Sequence, residues 1–133
     1  MQLSIIVPTY NNLNYLKFFI DSVKLNSVHK HEIILHINDG SDGTLNFAKE
    51  NNIKFTNSPN NIGLCSSMNQ AYSLATSNYI LYAHDDMFFC KNWDLYLTMG
   101  LNYRRLSPAH GTANDIKFKN IADVSSYLAC MDL

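Results

Sequence analysis

Cysteine is scarce in this chain. Cys65, Cys90 and Cys130 are odd in number and none pairs with another at the short spacing of a zinc or redox motif. That excludes a disulfide framework and a cysteine-bound zinc, and the three read as reduced thiols of a cytosolic protein, packed as small apolar residues. No apolar run approaches the ~20 residues of a membrane span. The first residues, Met1-Gln2-Leu3-Ser4, carry neither the basic nor the apolar region of a signal peptide, so the expected location is cytoplasmic. Neither sign of charge dominates: 10 Lys and Arg face 11 Asp and Glu, for a net charge of −1. With the cations scattered, nothing resembles a nucleic-acid surface. The glycine patterns of dinucleotide and P-loop sites, G-x-G-x-x-G and G-x-x-x-x-G-K-[ST], are missing too. No Ser/His/Asp order or activated cysteine supports covalent hydrolysis, and there is no internal repeat or low-complexity segment.

What is present is a chain of 133 residues, 47% apolar, the length of one domain. A domain of that size buries roughly two-thirds of the surface its unfolded chain exposes. Leu3-Ser4-Ile5-Ile6-Val7 is a β-branched run stopped by Pro8, and predicts a buried strand. Leu16, Phe19, Ile20 and Val23 then recur at the spacing of one helical face. A second strand is predicted at residues 33–37, closed by Asn38-Asp39-Gly40. The helix predicted from Thr44 to Asn51 has Ser41 or Asp42 as its cap. Residues 53–56 read as a third strand, and Met68, Ala71, Tyr72 and Ala75 mark another helical face. Tyr79 to Ala83 reads as the fourth strand, followed by a helix marked by Trp93, Tyr96, Leu97 and Leu101. Beyond Leu106 the pattern weakens to a loop over 107–115 and a last helix marked by Ile121, Val124, Leu128 and Met131. Strands alternating with helices predict an α/β domain, a mostly parallel twisted sheet flanked by helices.

In such sheets ligands bind outside the carboxyl ends of the strands, near a topological switch point. Three polar clusters fall on that edge: Pro8-Thr9-Tyr10-Asn11, Asn38-Asp39-Gly40-Ser41 and His84-Asp85-Asp86. Adjacent carboxylates at a strand end suit a hard divalent cation, Mn²⁺ or Mg²⁺, that also takes phosphate oxygens. On an extended segment the two side chains would point opposite ways, so one of them would serve the ion. A solvated turn explains the pair equally well. His84 is open to metal ligation, to a leaving phosphate or to simple hydrogen bonding. Asp39 before Gly40 suits a base or ribose, or an Asx turn. Tyr10 suits stacking on a nucleobase, or packing.

Taken together these stretches resemble the family 2 glycosyltransferases of the GT-A fold. Leu3 to Asn12 looks like their first strand and nucleotide loop, and residues 37–44, I-N-D-G-S-D-G-T, are similar to their D-D-G-S-x-D-G-T segment. Asn60-Asn61-Ile62-Gly63 with Ser67-Met68-Asn69-Gln70-Ala71 looks like their N-x-G…N-x-A segment. Tyr82 to Asp86 stands in the place of their D-x-D motif. The resemblance covers residues 3–100 and implies a Rossmann-like domain binding a nucleotide-diphosphate sugar, a UDP-sugar in the first place. It implies that Tyr10 stacks on the base beside Pro8, Thr9 and Asn11, and that Asp39 hydrogen-bonds the base. Asp85 would lie near the ribose or diphosphate, Asn61, Gly63 and Asn69 would shape the pocket, and Asp86 would bind Mn²⁺ or Mg²⁺. Asn38 and His84 stand where the family has acids.

Inverting members draw a catalytic acid from an acceptor-binding half well beyond the D-x-D motif. Here Asp94, Asp115, Asp123 and Asp132 are the acids that follow. Asp115, with His110 behind it, is the candidate base, set against the reading in which neither is catalytic. Residues 107–133 would be a reduced remnant of the acceptor side within a single domain, 1–133. The expected function is metal-dependent, inverting sugar transfer to an unknown glycan, lipid or protein acceptor. The alternatives are a nucleotide-sugar-binding module lacking its own base, and slow hydrolysis of the donor. A domain with an open acceptor side also makes a homodimer a reasonable expectation.

Overall fold

In a computed structural model, residues 2–95 are described. Four strands alternate with three helices: β1 (Ser4–Tyr10), α1 (Leu13–Asn26), β2 (Glu32–Asn38), α2 (Thr44–Glu50), β3 (Lys54–Ser58), α3 (Leu64–Tyr72) and β4 (Ile80–Tyr82). All pairings are parallel and the order is β3-β2-β1-β4. The chain builds outward from β1 to β3 and then returns to β1's other side, so the switch point lies between β1 and β4.

Alternation along the strands gives the sheet two unlike faces. Ile5 and Val7 of β1, with Leu35 and Ile37 of β2, join Leu16, Phe19, Ile20 and Val23 of α1 in one apolar core. The four helix residues are 3% exposed or less, and burying each contributes roughly 1.5–3 kcal/mol. On the opposite face Ile6, Ile34 and Ala71 form a much smaller cluster. The rest of that face is polar: His36, Asn38, Ser58 and Ser67 are all buried. His36 reaches Thr56 Oγ1 at 2.8 Å and Ser58 Oγ at 3.1 Å.

Pro8 does not end β1, which runs on to Tyr10. Its effect falls on β4 instead. Ser4 N–H donates to the Tyr79 carbonyl and Ile6 C=O accepts from Ala83 N–H, so alternate residues of β1 turn their polar groups toward β4. Pro8 is next in that series and has no N–H to give. The β1–β4 register accordingly closes at Ile6 opposite Tyr82, leaving a gap beside Pro8 and Thr9.

Other expectations shift in detail. The helix α3 starts at Leu64 and ends at Tyr72, and it buries Ser67 and Ala71. Tyr72 is exposed and Ala75 packs on the small cluster from beyond the helix end. Cys65 and Cys90 are exposed rather than packed inside, since they lie on the outer side of α3 and in the loop after β4. Asp42 is the acceptor at the start of α2, taking Thr44 N–H at 3.0 Å while its other oxygen takes Leu13 N–H at the start of α1. The backbone of 93–95 is helical, as the apolar spacing predicts. The remainder of that helix, the loop at 107–115 and the last helix lie outside the described residues, as do Cys130 and the proposed acceptor-side remnant.

Two carboxylates fasten the amino end of the sheet. Glu32 accepts from Ser4, Thr76, Ser77 and Lys54. Burial alone would raise its pKa, but Lys54, Ser4 and Thr76 lower it to about 2. Asp94, 1% exposed, accepts the amides of Val28 at 2.9 Å and His29 at 2.6 Å, and both rings of His29 and His31. Burial opposes its charge, yet these donors outweigh it and hold the carboxyl well below the usual carboxylate range. His31 Nδ1 accepts Leu3 N–H, so Nε2 carries the proton given to Asp94. Asp94 is thus committed to structure at the edge away from the polar clusters.

Asp94→Ala leaves those amides and rings without their acceptor, and a loss of roughly 2–4 kcal/mol is expected in urea denaturation. Burial also holds His31 and His36 below the ordinary histidine value, Asp94 only partly offsetting this for His31. The unfolded chain therefore takes up protons first as pH falls through ~6.5, and folding weakens in that direction. The unfolding free energy should drop between about pH 7.5 and about pH 5.5, and His36→Gln should flatten part of that slope. An unchanged slope in the variant would exclude His36 as a source.

Candidate functional site

A pocket of about 340 Å³ opens at the carboxyl end of the sheet, beside the gap at Pro8. Its floor and one wall come from the end of β1, Pro8 to Asn12. The other wall is Asn61, Gly63, Leu64 and Ser67, with Asn38 between them and Asp85 closing the β4 side. A larger hollow, about 540 Å³, lies around Lys24, His29, Lys54 and their neighbours at the amino edge. It collects none of the three polar clusters, and the fold rule for ligands points to the carboxyl edge.

The loops that build the site are sharply bent. Asn11 and Asp39, directly after β1 and β2, have φ of 46° and 63°, the left-handed region that asparagine and aspartate tolerate better than most residues. Their side chains explain why the bends hold. Asn11 Nδ2 donates to Asp39 Oδ2 at 2.8 Å, and Asn11 Oδ1 accepts Gly40 N–H at 3.1 Å. Gly63, with φ 80° and ψ 164°, occupies a region essentially closed to other residues. Its amide donates to Asn61 Oδ1 at 2.9 Å.

The acid pair does not sit on extended chain. Met87 N–H donates to His84 C=O, so Asp85 and Asp86 occupy the centre of a tight turn, and they still part company. Asp85 turns into the pocket, where Oδ2 accepts Thr9 Oγ1 at 2.6 Å and Oδ1 accepts Asn12 Nδ2 at 3.1 Å. Asp86 is exposed and forms no hydrogen bond among the described residues. Burial first, then the charges of Asp85 and Asp86, push the Tyr82 phenol up, and its oxygen lies 3.1 Å from His84 Nε2.

Of the residues singled out from sequence, Pro8, Thr9, Tyr10, Asn11, Asn61, Gly63 and Asp85 line one pocket. Tyr10 is 53% exposed there. Asp39 stands one hydrogen bond behind the lining, through Asn11. Asn69 is exposed on α3 and Asp86 at the turn, and neither lines the pocket. Asp115 and His110 lie outside the described residues. Asn12, Leu64 and Ser67, given no role from sequence, complete the lining together with Asn38 of the second polar cluster. For Asn38 a signal existed: Ile34, His36 and Asn38 alternate with Ile33, Leu35 and Ile37, marking a second face.

For a cation, no three His, Cys, Asp or Glu side chains converge among the described residues. Both Asp85 oxygens are occupied by protein donors, whereas Asp86 accepts none among the described residues. Such a donor set fits an ion that a ligand's phosphates help to hold, as Mg²⁺-like cations are commonly bound through one or two carboxylates plus phosphate.

A parallel sheet of this order, with a polar pocket at the switch point, defines a Rossmann-like α/β domain. The model of glycosyl transferase family 2 matches residues 4–101, and the chain belongs to that family. No curated protein sequence matches it. Among solved structures, TarS 1–349 of S. aureus in complex with UDP aligns with TM-score 0.67 and 23% identity, over 77% of this chain and 32% of that one. The same protein in complex with UDP-GlcNAc gives TM-score 0.60 and 22% identity, over 75% and 30%. The mannosyltransferase PcManGT of Pyrobaculum calidifontis, in complex with GDP-Man and Mn²⁺, gives 0.54 and 18%, over 63% and 27%. These likenesses show the GT-A fold, and the chain spans about a third of the length of TarS 1–349.

Asp39 offers a direct check of the loop geometry. The Asn11 amide, and after it the Ser41 hydroxyl, hold its carboxyl below the ordinary aspartate value. A ¹³C titration of the carboxyl should give a midpoint under the ~3.9 of a free side chain. Asn11→Ala should move that midpoint upward; a midpoint that stays put would mean the two loops are not joined in this way.

Proposed function

We propose that this domain binds a nucleotide-diphosphate sugar, in the first place a UDP-sugar, and acts as a glycosyltransferase or as the donor-binding part of one. The observation that carries the reading is the split of the acid pair. Asp85 is locked into the pocket by Thr9 and Asn12, while Asp86 is left open at the rim. In this reading Tyr10 offers its exposed ring to the base, and Asp39 keeps one oxygen for a base N–H while Asn11 and Ser41 hold the other. Asp85 faces the ribose or diphosphate. Asn61 and Gly63 shape the donor pocket, and Asp86 holds Mn²⁺ or Mg²⁺ together with the diphosphate. Once bound, such an ion neutralises charge that develops on the leaving diphosphate.

Transfer then consists of attack by an acceptor hydroxyl on the anomeric carbon, with inversion, as a base removes the hydroxyl proton. We assign the base to Asp115, with His110 behind it; the amino-edge acids Asp94 and Glu32 are structural. The second reading is a nucleotide-sugar-binding module or subunit that lacks its own base. A cytoplasmic location and self-pairing are compatible with both.

Calorimetric titration with UDP, UDP-GlcNAc and GDP-Man separates these statements. Binding of a uridine nucleotide is expected, tightened at least about tenfold by Mn²⁺, or about 1.4 kcal/mol. Asp86→Ala should remove that gain and leave metal-free binding in place. Absence of binding would sink the donor-site reading, and an undiminished Mn²⁺ effect in Asp86→Ala would sink the metal assignment. Sugar transfer by the 133-residue chain alone would rule out the module.

A further inference from the structure

Asn38 is 4% exposed, yet it touches both walls of the pocket. Its Nδ2 donates to Thr9 C=O at 3.3 Å and to Ser67 Oγ at 3.1 Å. Its Oδ1 accepts Ile62 N–H at 3.0 Å and lies 3.3 Å from Ser58 Oγ, whose proton goes to Asn60 C=O at 2.7 Å. Chemistry dictates this orientation, because a carbonyl can only accept and an amide N–H can only donate. Ser67 in turn spends its hydroxyl proton on Gly63 C=O at 2.7 Å, so it receives from Asn38. One wall is the end of β1, where Thr9 holds Asp85. The other is the turn before α3, which carries Asn61 and Gly63. They meet on a single side-chain amide.

We infer that Asn38 is a positioning residue that keeps the two walls of the pocket at a fixed spacing, through an amide that must donate on one side and accept on the other. The inference rests on the donor-site reading above. It gives a role to a position where the resemblance leads one to expect an acid. An ionised carboxylate would serve the Ile62 N–H equally well, but it would set an oxygen against the Thr9 carbonyl. A protonated carboxyl restores one donor there. The titratable groups around the position are His36, on the same face of β2 and joined through Ser58, Tyr10 in register on β1, and Asp85, which reaches Thr9 from beyond β4. Ser58 of β3 and Ser67 of α3 bring no charge.

The test is UDP affinity of the full chain and its Asn38→Ala and Asn38→Asp variants, at about pH 8 and about pH 5.5, with thermal midpoints measured alongside. Asn38→Ala is expected to bind about tenfold or more weakly, since several hydrogen bonds at the walls are lost. Asn38→Asp is expected to bind weakly at the higher pH and to approach the unaltered chain at the lower, because burial favours its neutral form. The same recovery in a His36→Gln background assigns it to the new carboxyl. A purely structural role would lower the thermal midpoint without a recovery of affinity that follows pH. Should Asn38→Ala fail to fold, the ratio of Asn38→Asp to the unaltered chain carries the test. Variants that bind like the unaltered chain at both pH values, or a ratio independent of pH, would overturn the inference alone. An unaltered chain that binds no UDP would overturn the donor-site reading as well.

Discussion

Pro8 has no N–H to offer β4, and the architecture of the carboxyl edge follows from that. Parallel strands give alternate residues to each neighbour, and Ser4, Ile6 and Pro8 are those that β1 turns toward β4. The ladder stops one rung short, β4 is only three residues long, and the strands diverge where the order of the sheet reverses. Side chains bridge the opening instead of backbone: Thr9 and Asn12 reach across to Asp85. A cleft lined by the chain's own polar groups can exchange partners with a ligand, which a closed ladder cannot do.

The acids divide by edge. At the amino edge Glu32 and Asp94 gather backbone amides and side-chain donors from segments far apart in sequence, and their low pKa values express how completely they are used. At the carboxyl edge the commitment is graded. Asp85 is fully engaged, Asp39 holds one oxygen back, and Asp86 is free. That gradient separates fastening from binding more sharply than the identity of the residues does.

Periodicity made the strands, the first two helices and the parallel architecture legible in the sequence, because the apolar face of α1 and the β-branched runs have no other stable placement. Motif order located the pocket, since Pro8 to Asn11, Asn61, Gly63 and Asp85 come together only in this topology. Three things stayed hidden for physical reasons. Pro8 reads as a stop signal, whereas its consequence falls on a strand some seventy residues away in the chain. Asp94 carries no local mark of burial, because its partners, Val28, His29 and His31, lie on the α1–β2 connection. Asn38 looks like a loss of charge in a motif, and only the contacts with Thr9, Ile62 and Ser67 reveal an amide with three partners.

The buried polar face of the sheet has a bearing on how the chain avoids misfolding. Ile33 to Ile37 is nearly uniform in hydrophobicity, and a uniform strand can slide by one position against its neighbour at little cost. His36 and Asn38 forbid the slide. One step of displacement would drive an imidazole and a carboxamide into the space filled by Leu16, Phe19 and Ile20, stranded from every hydrogen-bonding partner. The same step would leave Thr56, Ser58 and Ser67 facing hydrocarbon. The polar residues beneath the pocket thus act as a key for strand alignment, and correct pairing of β1, β2 and β3 is coupled to assembly of the site.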